Sequence, residues 1–154
     1  EFIVLGGVFS DQHGDFGLGM YIRNPIGSEH QPSSKVGCTI FVKLSQFDPE
    51  DQAFVRLDTA TGTWKPGQAE GLSVLPLHEY GPERIALVKW QPGTRFQEHA
   101  HPGGEEILVL DGVFEDEFGT YEQGTWLRNP PESHHTPFSR QGCTIYVKTG
   151  HHMP

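Results

Sequence analysis

The sequence predicts an all-β fold: a jelly-roll barrel, complete once and present a second time in part. Three observations predict it. Nineteen glycines and twelve prolines are spread through the 154 residues, which disfavours long helices and favours short strands joined by turns. Apolar and polar side chains alternate with period two, as Ile85, Leu87 and Lys89 do against Ala86, Val88 and Trp90, and that is the period of a strand with one face on a core. The third observation is a repeat at a shift of 105 residues. Phe9 falls on Phe114, Asp11 on Asp116, Gly19 on Gly124 and His30 on His135. Arg23-Asn24-Pro25 falls on Arg128-Asn129-Pro130, and Gly37-Cys38-Thr39-Ile40 on Gly142-Cys143-Thr144-Ile145, without gaps. A period this long means duplicated domains, not a solenoid.

In the first copy, residues 1–44, strands are expected at 1–5, 8–11, 19–23 and 38–44, with turns at Gly6-Gly7 and near Gly14. Moved back by 105, positions 99, 101 and 105 fall before Glu1. The copy therefore reads as truncated and the chain as the tail of a longer protein. Residues 45–60 read as a connector in which Asp48-Pro49-Glu50-Asp51-Gln52 could form one helical turn. Residues 61–150 read as the complete domain, opening with a loop over 61–71. Its strands are expected at 72–77, 84–91, 99–101, 106–110, 112–116, 121–128, 135–137 and 143–149. The end, His151-His152, is expected to fray.

Residues 93–112 carry the chemistry. His99 and His101 stand two apart on an extended segment and so share a face, and Glu105 keeps their parity. His135 lies downstream, where Gly124 and Pro130 bracket a strand and its turn. Imidazoles with a carboxylate are what a first-row transition metal takes as ligands. His99, His101, Glu105 and His135 are thus the expected ligands of one divalent metal. His134 should face the other way and stays a secondary candidate.

The net charge of −9 argues against nucleic acid, which wants a basic face. No apolar run approaches the ~18 residues that would span a bilayer, and none resembles a signal peptide, so no membrane is expected and the location reads as cytoplasmic. Cys38 and Cys143 occupy equivalent places in the two copies, which favours small buried hydrophobes over a disulfide. Arg23 and Arg128 are expected to be structural, holding the turn or pairing with Asp11 and Asp116; a pocket role for Arg128 toward an anion is the alternative. Trp90, Phe96, Trp126, Phe138 and Tyr146 read as core or as a pocket mouth. Glu98 and Glu106 should face outward. The open strand edges of the first copy call for a homodimer or for an N-terminal segment to pair with.

The spacing of Gly93, His99, His101, Glu105 and Gly112, with Gly124, Pro130 and His135, resembles the two signature motifs of the cupin superfamily. Glu132 and Ser139 depart from the family's Gly and Asn. Within cupins, HPGGEE, VLDGVFEDEFGTY, RNPPESHH and GCTIYVK resemble the ChrR-like family, well over 61–149 and as a truncated twin over 1–44. The resemblance implies one metal, zinc first, with iron, nickel or manganese also suited to the ligands. It also implies a sensory module of an anti-sigma-factor-type protein, with any sigma-factor partner held by a separate helical domain that these residues do not contain. A small-molecule or oxidant ligand would act at the metal. A metal-dependent, dioxygenase-like enzyme is the second reading, and a metal-free structural barrel the third.

Overall fold

A computed structural model describes residues 1–151 and divides the chain into two compact units, Glu1–Gly62 and one beginning at Thr63. Strands and turns make up the described residues, and no helix among them is long and apolar enough to cross a membrane.

The first unit holds β1 (Phe2–Gly7), β2 (Phe9–Asp11), β3 (Gly14–Phe16), β4 (Met20–Arg23), β5 (Cys38–Val42) and β6 (Val55–Asp58). Four form a sheet in the order β5-β1-β4-β6, and β2–β3 is a hairpin. Phe2, Val4, Phe9, Phe16 and Ile22 make its core. β6 lies within the stretch expected as connector and pairs antiparallel with β4. The acidic stretch before it makes a turn, with Asp51 N–H donating to the Asp48 carbonyl, and no helix. Cys38 is exposed, against expectation, because β5 lies at the sheet edge; its twin Cys143 is buried, and both thiols are free.

The second unit holds β7 (Lys65–Pro66), β8 (Leu72–Tyr80), β9 (Glu83–Trp90), β10 (Thr94–Arg95), β11 (His99–Ala100) and β12 (Glu105–Asp116). It continues with β13 (Gly119–Glu122), β14 (Trp126–Asn129), β15 (His134–His135), β16 (Phe138–Ser139) and β17 (Cys143–Thr149). The main sheet runs β10-β16-β12-β17-β9-β8-β7, with β13 and β14 also on β12 and a separate β11–β15 ribbon. The strands expected at 106–110 and 112–116 are one twelve-residue strand with a bulge at Leu110. The expected strand at 121–128 is two, β13 and β14, because Thr125 N–H closes a turn onto Glu122.

Alternation sorts β12 and β17. Ile107, Val109 and Ile145 face a core that includes Trp90, Phe114 and Cys143. Burying a side chain such as Phe114 stabilises the unit by roughly 2–3 kcal/mol. The opposite face is buried too, through Leu108, Tyr146 and Lys148. Glu106 therefore does not face water as expected. It is buried, with Arg128 Nε at 3.3 Å and His151 Nε2 at 3.4 Å from its Oε1. His151 does not fray, since its side chain is only 4% exposed; His152 lies outside the described residues.

The units share their strand register. Phe2 pairs with Ile22 and Val42, and Ile107 with Leu127 and Val147, the same positions moved by 105. Both repeat the bulge, at Leu5 and at Leu110.

Candidate metal centre

His99 and His135 stand directly opposite each other on the antiparallel β11–β15 ribbon. His101 follows β11 by one residue. The turn after it closes with Gly104 N–H donating to the His101 carbonyl at 2.9 Å, and Gly104 takes a φ of 74° that favours glycine. Glu105 then opens β12 with its side chain on the core face. The ribbon, a tight turn and a long strand thus converge on one point.

One ring nitrogen each of His99, His101 and His135 lies within 4.8 Å of the others, close enough to hold a metal ion. His101 Nε2 is 3.4 Å from His135 Nε2 and 3.3 Å from Glu105 Oε1, and His135 Nε2 is 3.5 Å from Glu105 Oε2. Two nitrogens each bound ~2.1 Å from a common ion at a tetrahedral angle stand about 3.4 Å apart, so the spacing and chemistry of the four donors fit a divalent transition metal. His134 pairs with Ala100 on the ribbon, points away and is exposed; Glu98 is exposed as well.

Neighbouring groups orient three of the four candidate ligands, His99, His135 and Glu105. The Gln97 carbonyl is 3.0 Å from His99 Nδ1, so it receives the proton there and leaves Nε2 as the ligating atom. Asp116 Oδ2 is 3.6 Å from His135 Nδ1 and orients that ring by charge. Asp116 Oδ1 accepts hydrogen bonds from the Tyr121 hydroxyl at 2.9 Å and from the Phe118 and Gly119 N–H groups. Asn129 Nδ2 donates to Glu105 Oε2 at 2.8 Å.

Burial decides the protonation of the metal-free site. It pulls His101 down to about 4, with the His99 and His135 rings adding to the effect. It also lowers His135, against the pull of Asp116. It pushes Glu105 up to about 7, opposed by the Asn129 hydrogen bond and helped by Asp116. The site thus keeps His101 and His135 neutral, beside a carboxylate that ionises near neutrality.

The four groups open into a cavity of about 370 Å³ lined otherwise mostly by apolar side chains, Leu72, Val88, Trp90, Phe96, Phe114 and Ile145 among them, with Gln68, Arg84 and Thr149 as its polar members. Trp90 and Phe96 line it; Trp126, Phe138, Tyr146 and Arg128 do not. Ser139, in place of the motif's Asn, is fully buried and donates to the Val113 carbonyl at 2.6 Å. The arginine pairings are corrected. Arg23 bridges Glu1 and Asp51, the latter from the turn before β6, and Arg128 reaches Glu106, its register partner on β12, while Asp11 and Asp116 point to the histidines. Sequence reasoning missed Asn129 and the true role of Asp116. Their signal was the repeat itself: Asn24 and Asp11 recur there, and Asp11 Oδ2 stands 3.5 Å from His30.

Fold and site together define the class, a jelly-roll cupin. Within it, the chain belongs to the family of the ChrR cupin-like domain, which matches residues 1–48 and 52–153. No curated protein sequence matches the chain. Among solved structures, it is similar to one of Rhodobacter sphaeroides SigE in complex with the anti-sigma ChrR, at 26% identity and a TM-score of 0.54, over 59% of this chain and 51% of that one. A provisionally assigned dioxygenase from Nostoc punctiforme is 15% identical with a TM-score of 0.77, over 95% of this chain and 59% of that one. An acetylacetone dioxygenase from Acinetobacter johnsonii is 17% identical with a TM-score of 0.55, over 64% and 73%. At those identities the two dioxygenases bear on the fold alone. The chain spans about half the length of the chain matched in the SigE–ChrR complex.

Proposed function

We propose that the second unit is a metal-binding regulatory module in which His99, His101, Glu105 and His135 hold one divalent transition metal, zinc first among the candidates. The observation that carries this reading is the convergence of three imidazoles and one carboxylate on a mostly apolar cavity. A bound metal supplies a Lewis-acidic centre. The chain's own residues do the rest: Asp116, Gln97 and Asn129 orient the ligands, and Trp90, Phe96 and Phe114 give the cavity its apolar walls. A small molecule or oxidant reaching the metal would change how the barrel meets a partner. A sigma-factor system as that partner, met through a domain outside these residues, is supported by the likeness to the SigE–ChrR structure. The first unit reads as a partial cupin repeat, with its 105-residue correspondence and shared register as support.

A second reading, a dioxygenase-like enzyme on a small molecule, is favoured by the cavity of about 370 Å³ opening beside the ligands. Elemental analysis of untreated protein tests the shared premise. We expect one divalent metal per chain, lost in His99→Ala and His135→Ala and kept in His134→Ala. Full occupancy in His99→Ala would refute the ligand assignment. Oxygen uptake by iron-loaded protein on small diketones, dependent on Glu105, would decide for the enzyme.

A further inference from the structure

The cavity beside the candidate metal centre has a charged end and an apolar end. Pairing of β9, β17 and β12 sets Arg84 opposite Thr149 and Thr149 opposite Glu105. Residues directly opposite on one face have Cβ atoms about 5 Å apart, so the three make a row, and all of them line the cavity. Further along the same face, β9 presents Val88 and then Trp90, which lies opposite Leu72 of β8; these three line the cavity as well. At ~3.3 Å per residue, the backbone carries Trp90 roughly 20 Å beyond Arg84. Arg128, the arginine that the sequence offered to an anion, does not line this cavity.

The donors at the charged end are not used up. Arg84 Nη1 donates to the Gly81 carbonyl at 2.6 Å and to the Glu83 carbonyl at 2.8 Å, which ties the guanidinium to the turn between β8 and β9. Arg84 Nε is 3.6 Å from Glu79 Oε2, and the two side chains are 50% and 61% exposed, so solvent screens this ion pair. Among the described residues, Nη2 meets no acceptor and the Thr149 hydroxyl makes no hydrogen bond. A guanidinium does not lose its proton in a protein. A permanent cation with open N–H groups therefore stands at one end of a cavity whose other end is Leu72, Trp90 and Phe114.

We propose that this cavity takes a small carboxylate with an elongated apolar body. The carboxylate accepts from Arg84 Nη2 and the Thr149 hydroxyl, and the body runs along Val88 and Ile145 toward Trp90. The proposal rests on the reading of this cavity as the functional one and deepens it by naming the class of ligand. A carboxylate has oxygens enough to accept from a guanidinium and a hydroxyl together, and such charge-assisted bonds are the strong ones. The apolar walls remove the tail from water, so binding tightens with each methylene buried. Overall charge does not draw the anion in, since the chain carries −9. Glu79 and Glu105 oppose it locally, and Arg84 is the group that overcomes them. Discrimination between an acid and its neutral analogue therefore lives at Arg84.

Calorimetry on the full chain with octanoate, and with octanamide as its neutral analogue, tests this. We expect one octanoate site per chain, filled at least tenfold more tightly than by octanamide. Arg84→Gln should erase that preference and Arg84→Lys keep part of it. Octanamide affinity should be the same in both variants, which shows that the cavity is still folded. Glu79→Gln, at an exposed position, should tighten octanoate alone. Amide shifts on adding octanoate should fall on β9 and β17. Equal affinity for the two compounds, a preference that survives Arg84→Gln, or shifts confined to the first unit would overturn the proposal. So would a preference lost when a chelator strips the metal, since the metal would then be the anion's partner. Metal analysis of the same samples keeps the two readings apart. A preference for octanoate in a chain that binds no metal supports this proposal and sinks only the metal site. A metal-bearing chain with no preference sinks this proposal alone.

Discussion

Glu132 takes a φ of 64° just before the His134-His135 strand, in the place where the cupin motif has glycine. Its twin in the first unit is Gly27, with a φ of 84° and nothing within 4 Å of the position a Cβ would take. A side chain in this left-handed region costs about 1–2 kcal/mol, part of which glycine's freer unfolded chain offsets. Glu132→Gly should therefore stabilise the protein by roughly 0.5–1 kcal/mol, raising the Tm by a few degrees in a thermal melt with metal content unchanged. Glu105 governs a second expectation. Without metal its carboxyl ionises at about 7, whereas His101 stays neutral down to about 4. Below neutrality a metal must displace the Glu105 proton, so affinity should rise as pH climbs toward about 7 and level off above it. Competition against a chelator across this range reads it, and Glu105→Gln should flatten the rise. The cluster proposed as ligands was legible in the sequence because strand parity put His99, His101 and Glu105 on one face. Asn129 and Asp116 were not, because their roles depend on which strand lies beside which.

Among the elements, the bulge in β12 shows what alternation can and cannot reveal. Period two located β8, β9, β12 and β17 within a few residues. It assumed that one face meets water, yet Leu108, Tyr146, Lys148 and Glu106 are buried on the other face. Lys148 is held there by Glu83 at 3.0 Å. No pattern along one strand announces such pairing. β6 stayed hidden for a related reason: its partner, β4, lies some thirty residues earlier. Past the bulge, Gly112 has a φ of 73°, and a Cβ there would sit 2.2 Å from the Gly142 carbonyl oxygen. The first unit repeats the contact, with Gly7 and the Gly37 carbonyl at 2.0 Å. Backbone cannot yield as a side-chain tip can, so Gly112→Ala should destabilise by about 3 kcal/mol or more, read by urea unfolding. Gly124→Ala, with nothing within 4 Å of its Cβ position, should cost less.

For the molecule as a whole, the 105-residue correspondence and the shared register set two outcomes side by side on similar strands. The second unit has β8, β9 and the histidine ribbon around its core, and it carries a candidate metal site. The first retains the His30–Asp11 pair, the bulge and the register. Matching joints make residues 71–105 an exchangeable cassette. A copy of residues 71–105 spliced directly ahead of Glu1 would enter β1 as the original enters β12, and it would bring three new donors to His30. Native mass spectrometry of that chimera should find a second bound cation, and a further His30→Ala change should remove it.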